Sequence, residues 1–407
     1  MALLDMFREA LTSIRANALR SFLTLLGIII GVSTIIAVVS VIAGLDGYVK
    51  EKVISALSPD VYVLTKFGII RSREEFLDAL KRRDIDWGDY SLLTRVLRDT
   101  EQMAAQAQGS GAVRFSEHRL PDMRIIGTTA NYPELFSLDL VAGRCFSDSE
   151  ARPGKNIAVV GWDIKEELFP QLDPVGREIT VNGQPYRVIG LIKKLGSVLG
   201  QPQDNRVFIP LQAFQAQFGV RQSLDLLLRA RGGVAGLDRS VDEARAAMRA
   251  LRHTGFNAPD PFGVVTAEAL QSLWRQISGA AFLLMILISS VSLGVGGIVI
   301  MNIMLVSVLE RTQEIGVRKA VGAREEDIRR QFLLEAALLS LGGGIVGAVF
   351  GVGACVVVKH VLMFPAAVSP GIVVIALALS ALVGVVAGLW PAHSASRLNA
   401  IEALRVE

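Results

Sequence analysis

The stretch from Gln276 to Leu309 reads QISGAAFLLMILISSVSLGVGGIVIMNIMLVSVL, 34 residues without one charged side chain. As a helix it would be about 50 Å long at 1.5 Å per residue, well beyond a hydrocarbon core of about 30 Å. That length requires the helix to tilt, to kink near Gly294, Gly296 and Gly297, or to project from the membrane. Three further apolar runs have spanning length: Ser21–Leu45, Ala336–Val358 and Gly371–Trp390, the last bounded by Pro370 and Pro391. The expected fold is therefore an α-helical membrane protein with four transmembrane helices. A large α+β extracytoplasmic domain, divided into two lobes, is inserted between helices 1 and 2.

Composition agrees. The 407 residues are 51% hydrophobic with a mean hydropathy of +0.44, too apolar for an ordinary soluble enzyme. A net charge of +3 calls for no nucleic-acid partner. Cys145 and Cys355, in a polar segment and an apolar run, read as two isolated small hydrophobes rather than a disulfide or a metal pair. The chain divides as follows: 1–20, a cytoplasmic amphipathic helix; 21–46, the first span; 47–274, the inserted domain; 275–309, the second span. After it come 310–332, a cytoplasmic loop; 333–358, the third span; 359–370, an outer loop; 371–391, the fourth span; and 392–407, a cytoplasmic tail.

Basic residues near the span ends set the orientation. One side carries Arg8, Arg15, Arg20, six Lys or Arg between the second and third spans, Arg397 and Arg405, eleven in all. The other side has four, Lys50, Lys52, Arg275 and Lys359. Both termini and the 310–332 loop are expected in the cytoplasm. The apolar core of the first run exceeds the roughly 7–15 residues of a cleaved signal peptide. Gly27 and Gly31, then Gly343, Gly347 and Gly351, then Gly384 and Gly388 recur every four residues, placing small residues on one helix face for close packing. The apolar runs Ser21–Leu45, Gln276–Leu309, Ala336–Val358 and Gly371–Trp390 carry no acidic or basic residue, which argues against a proton relay or ion pathway through the bilayer.

In the inserted domain, Val61–Thr65, Met123–Thr129, Ile157–Gly161, Arg177–Ile192 and Arg206–Leu211 read as strands, with Asn182-Gly183 as a hairpin turn. Ser72–Arg83, Asp89–Thr100 and Val241–His253 have helical patterns. His118 and His253 lack metal-ligand spacing. Pro153-Gly154-Lys155-Asn156 has the Gly-Lys of a phosphate loop without its upstream Gly or following Ser/Thr, and no Walker motif occurs.

The densest charge is ERTQEIGVRKAVGAREEDIRR, Glu310–Arg330, with eleven charged residues in twenty-one and no nucleophile. Glu310–Glu314 can extend the second span, with Glu314 and Arg318 paired at i,i+4. Arg318 and Lys319 suit a helix end, Gly322 a stop, and Glu325, Glu326 and Asp327 the start of the next helix. A helix-break-helix of this kind displays a charged surface under the bilayer that can dock a cytoplasmic protein or anionic lipid headgroups. Anchoring by basic residues alone would leave its five acids without a role.

EIGVRKAVGA (Glu314–Ala323) with the following LLEA (Leu333–Ala336) resembles the cytoplasmic loop of the MacB/FtsX-like ABC permeases, the type VII systems. The tail PAHSASRLNAIEALRVE (Pro391–Glu407) is similar too, with Ala400 where the family has Pro. FSLDLVAGRCFSDSE (Phe136–Glu150), LFPQLDPVGREITVNGQPYRVIG (Leu168–Gly190) and DNRVFIPL (Asp204–Leu211) resemble the family's MacB-type periplasmic core, and Leu3–Val32 its first helix. The resemblance implies a non-catalytic permease of the bacterial inner membrane that pairs with a second copy of itself and with two copies of an ABC ATPase subunit. ATP and Mg would sit on that partner, with no cofactor on this chain. With about 20 residues before the first span, the ATPase is expected on another polypeptide. The resemblance casts Glu314, Ile315, Gly316, Arg318, Lys319, Gly322 and Ala323 as the ATPase-coupling loop, relaying ATP-driven motion to the periplasmic domain for efflux. It leaves open a periplasmic adaptor, a paralogous permease partner, lipoprotein extraction of the LolC/LolE kind and signalling of the FtsX kind. A membrane-anchored binding or scaffold protein without an ATPase is the reading from a different class.

Overall fold

A computed structural model describes residues 18–50, 58–136, 138–151, 154–198, 201–361, 365–399 and 403. Residues 1–17 of the helix expected over 1–20, with Arg8 and Arg15, lie outside them, as do Lys52, Pro153, Ala400 and Arg405. The chain forms two compact units. One is helical, Met1–Tyr48 with Gln276–Glu407; the other is the α+β insert, Val49–Arg275.

The helical unit begins with α1 (Ala18–Val49). The insert then contributes α2 (Arg73–Lys81), α3 (Trp87–Val96), α4 (Tyr132–Leu135), α5 (Asp148–Ala151), α6 (Trp162–Leu168), α7 (Leu211–Phe218) and α8 (Leu237–Leu251). Its strands are β1 (Val61–Thr65), β2 (Thr100–Phe115), β3 (His118–Thr128), β4 (Leu140–Gly143), β5 (Ile157–Val160), β6 (Glu178–Val181), β7 (Gln184–Ile192), a small hairpin of β8 (Ser197–Val198) and β9 (Gln201–Pro202), β10 (Arg206–Pro210), β11 (Asp225–Ala230) and β12 (Gly263–Thr266).

Ten strands make one mixed sheet in the order β12-β1-β11-β2-β3-β10-β5-β7-β4, with β6 pairing β2 and β7. Side chains alternate between its faces. Tyr62, Leu64, Ile125, Ala158, Val160, Val207, Ile209, Leu226 and Leu228 pack on one side with α3, α6, α7 and α8. Val61, Ile126, Ile157, Val159, Phe208 and Leu227 pack on the other with Tyr132 and Leu135 of α4. Covered on both faces, β5 and β10 are continuous apolar runs rather than alternating ones. The two lobes expected for this domain do not appear as separate units: one sheet runs through a single compact unit, with a buried cluster on each face. At the β6–β7 turn, Asn182 and Gly183 both take positive φ, +46° and +88°, the geometry a two-residue type I′ hairpin demands. Ser72 caps α2 through Glu75 N–H, and Asp86 with Asp89 forms a capping box that starts α3 two residues before the expected Asp89.

The helical unit continues with α9 (Ala267–Glu310), α10 (Thr312–Ala320), α11 (Glu325–Val361) and α12 (Pro370–Ser396). Among the described residues, α1, α9, α11 and α12 are the four helices long and apolar enough to cross a membrane. α9 runs unbroken for 44 residues, through Gly294, Gly296 and Gly297. At about 66 Å it is twice the hydrocarbon thickness. α12 does not end at Pro391, as expected, but continues to Ser396. Proline removes one backbone hydrogen bond and crowds the preceding turn. Here burial of Pro391, Ala392 and Ala395 in the bundle holds the last turn in place.

Only 22–33% of the residues in the most apolar window of each span are buried inside the protein. Leu283, Ile288 and Val291 of α9, Val349 of α11 and Val374 of α12 are each at least 60% exposed. A continuous apolar exterior of this extent is what lipid requires and water penalises. The interior is instead built from small residues. A Cβ on Gly27 would lie 2.9 Å from Gly296 Cα, and one on Gly31 2.5 Å from Leu293 Cδ1, so α1 and α9 touch almost backbone to backbone. Gly347 and Gly351 press on α1 at Ile29, Val32, Ser33 and Ile36. Gly384 and Gly388 press on Ser340 and Ala336 of α11. Gly343 is buried on α11 as well. These faces are therefore occupied within the chain, joining α1, α9, α11 and α12. Ser380 Oγ adds a 2.6 Å hydrogen bond to the Ser340 carbonyl.

Candidate functional site at the loop between the second and third spans

The second span does not extend through Glu314 as expected. The helix breaks at Arg311 (φ −105°, ψ 17°), where Thr312 Oγ1 donates to the Val308 and Leu309 carbonyls, 3.0 and 2.9 Å away. The Arg311 guanidinium turns instead to Glu335 of α11, at 3.4 Å. α10 then runs as a separate nine-residue helix.

Its end is built by the backbone. Gly322 N–H donates to the Lys319 carbonyl and Ala323 N–H to the Arg318 carbonyl, each at 3.0 Å, the paired bonds of a Schellman cap. Gly322 has φ +104°, a conformation that costs an L side chain. Arg324 N–H donates to Asp327 Oδ2, 3.2 Å away, opening α11, whose first turn holds Glu325, Glu326 and Asp327. Acid at a helix start is favoured by its dipole.

The named loop residues fall into two groups. Ile315 and Gly316 are buried, and Ile315 packs into the bundle core beside Ile328 and Phe332. Arg318 donates to Glu314 one turn back and to Gln331 Oε1 of α11, 2.7 Å away. Lys319 Nζ donates to the carbonyls of Ser396 and Leu398 at 2.6 and 2.8 Å, closing the last turn of α12. Lys319 thus fastens the loop to the end of α12, whose last carbonyls have no partner within the helix and favour a nearby cation. Glu314 stays on the outer face, and Ala323 is half-buried.

Sequence reasoning passed over Val317 and Val321. They are 50% and 84% exposed, one turn apart, on the side of α10 away from Ile315. The signal was in the spacing: an i,i+4 apolar pair off the buried stripe of a short helix. Together with Gln313, Glu314 and Ala320, all exposed, they form a small apolar patch with a polar border, held rigidly by Arg311–Glu335, Arg318–Gln331 and Lys319–Ser396.

In the α+β unit, desolvation raises the pKa of Asp225 on β11 and lowers that of Arg206 on β10, the latter helped by the Arg124 charge. Both groups sit within strands of the sheet. Among the described residues no three His, Cys, Asp or Glu side chains converge as metal ligands.

Four apolar helices, an α+β domain inserted in the chain between the first two, and a pinned helix-turn-helix between the second and third spans define an ABC-type permease architecture. The MacB-like periplasmic core domain matches residues 21–251, and the FtsX-like permease C-terminal domain matches residues 286–400. The chain belongs to the MacB/FtsX-like family of ABC transporter permeases. It is 31% identical to an uncharacterized ABC transporter permease, YknZ, of Bacillus subtilis, over the whole of both chains. It is 32% identical to a macrolide export ATP-binding/permease protein, MacB, of Bdellovibrio bacteriovorus, where it spans 62% of the relative's length. The solved periplasmic region of MacB from Actinobacillus actinomycetemcomitans superposes on 55% of this chain and 95% of its own with a TM-score of 0.46 and 13% identity.

Proposed function

We propose that this permease transmits ATP-driven motion from a separate ATPase subunit to its α+β domain, and that the patch of α10 centred on Val317 and Val321 is where the ATPase docks. In the working complex two copies of the chain pair with two ATPase chains, which hold ATP and Mg. The loop and the termini face the cytoplasm and the α+β domain faces outward, driving export or extraction of a substrate on that side. The observation that supports this reading is an exposed apolar pair on a helix whose other faces are fastened to α11 and α12. Rigid fixing at one end and an apolar centre with a polar rim at the other is the anatomy of a force-bearing contact. The Bacillus subtilis relative is itself named an ABC transporter permease, which supports an ATPase partner.

The test is recovery of the ATPase with the affinity-purified chain from native membranes. Val317→Asp combined with Val321→Asp should cut recovery about tenfold or more, because two central contacts become unpaired charges. Membrane insertion and thermal stability should stay at wild-type level, since neither valine packs inward. Wild-type recovery from the double variant refutes the proposed docking surface.

A further inference from the structure

β3 and β10 lie side by side and parallel, paired from Arg124 with Arg206 to Thr128 with Pro210. Beyond those carboxyl ends the chains part, β3 through Thr129–Asn131 into α4 and β10 directly into α7. Parallel strands that stop together and diverge leave a crevice their own backbone does not fill, a common place for ligands in sheets of this kind. Here the crevice has a volume of about 540 Å³ and is closed on one side by α3. That is within the range of small-molecule sites.

The walls have a definite chemistry. Trp87 and Tyr90 stack with ring centroids 4.7 Å apart; Tyr90 packs against the core, while Trp87 stays 39% exposed. Ser91 and Thr94 donate their hydroxyl protons to the carbonyls of Gly88 and Tyr90, so what they offer outward is acceptor lone pairs. Gln212, exposed at the start of α7, offers both donor and acceptor. The first turn of α7 follows Pro210 and has no side-chain cap, adding backbone donors. Arg95 and Asp148 bring one charge of each sign.

We propose that this crevice binds a neutral saccharide. An aromatic face accommodates the C–H face of a pyranose ring, and interleaved donors and acceptors match hydroxyls, each of which does both. A wholly apolar ligand would leave the outward lone pairs of Ser91 and Thr94 and the first amides of α7 without partners, which disfavours it. The opposed charges of Arg95 and Asp148 favour neither an anion nor a cation. The site lies wholly within the α+β unit, and binding there requires neither an ATPase nor the α10 patch.

The test uses the full-length chain in lipid nanodiscs, titrated with N-acetylglucosamine, maltotriose and tri-N-acetylchitotriose and followed by tryptophan fluorescence and saturation-transfer NMR. At least one of the three should bind saturably below about 10 mM. Trp87→Ala and the surface variant Gln212→Ala should each weaken that binding about tenfold. Trp162→Phe, on α6, should leave it unchanged, and thermal unfolding will show that each variant is folded. The proposal fails if none of the three saccharides binds at about 10 mM, or if folded Trp87→Ala and Gln212→Ala bind as the wild type does.

Discussion

Lys319 Nζ donates to the carbonyl oxygen of Ser396, 2.6 Å away and 77 residues further along the chain. It thereby joins the helix between the second and third spans to the end of the fourth. A charged hydrogen bond of this kind is worth about 1.5–3 kcal/mol when its partners are withdrawn from water. Lys319→Met should keep the stem's packing but free the end of α12. Hydrogen exchange over residues 392–399 should rise at least about tenfold, and the α10 amides should exchange faster with it. Unchanged exchange at both places would mean that the two elements move independently.

Gly384 sits where a Cβ would lie 2.0 Å from Ser340 Oγ and 2.6 Å from the Ala336 carbonyl. Gly384→Val should force α11 and α12 apart, at a cost of several times the ~1 kcal/mol of an ordinary helix substitution. Gly353, on α11, has nothing within 4 Å of the same position. Gly353→Ala should be neutral or slightly stabilising, through helix propensity of about 1 kcal/mol. Thermal unfolding of the two variants in detergent distinguishes them, and an equal loss in both would show that close approach is not what Gly384 supplies.

Arg252 and Asp89 form an ion pair whose side chains are 4% and 3% exposed, joining the end of α8 to the start of α3. Asp89 also accepts from Asp86 N–H, and Arg252 donates to the Asp84 carbonyl at 2.9 Å. Removing one member strands the other's charge in the interior, a loss of about 3–5 kcal/mol. Asp89→Ala should therefore make the α+β unit susceptible to proteolysis at temperatures where the wild type resists. Double replacement by apolar residues, Asp89→Leu with Arg252→Met, should recover much of that resistance. If the single variant is as resistant as wild type, the pair contributes little.

Orientation is read by labelling single cysteines in a background lacking Cys145 and Cys355, both free thiols. An impermeant reagent added to intact cells should reach Glu117→Cys on the β2–β3 turn. It should reach Ala320→Cys and Arg397→Cys, both exposed positions, only after the membrane is opened. Labelling of Ala320→Cys in sealed cells would reverse the orientation drawn from the eleven-to-four excess of basic residues.

The role of the 310–332 loop was only half legible in the chain. Glu314 with Arg318, and the stop at Gly322, depend on neighbours within one turn, and local spacing shows them. Lys319 was grouped with its charged neighbours as a docking contact, because the carbonyls it serves are contributed from beyond the fourth span. Val317 and Val321 passed as ordinary helix residues until the burial of Ile315 fixed which side of α10 faces out.

The four spans, the Asn182-Gly183 hairpin, the strand Val61–Thr65 and the capped helices α2 and α3 were determined by the sequence alone. Each follows from charge-free length, backbone freedom at two residues, or side chains within a few positions of one another. Only the tertiary structure decided that TEQMAAQAQGSGAVRF, Thr100–Phe115, is a strand. Its Ala, Gln, Gly and Ser have little intrinsic preference for one, yet it pairs with β11, β3 and β6. Its Gly109 is small because Phe218 and Phe214 of α7 lie against it, and Gly127 of β3, opposite Ala107, because Phe214 does. The same holds for the continuation of α12 through Pro391 and for the partners of Gly27, Gly347 and Gly384. Local preference belongs to a residue and its near neighbours, whereas pairing and close approach depend on surfaces brought together from distant parts of the chain, and those exist only once it has folded.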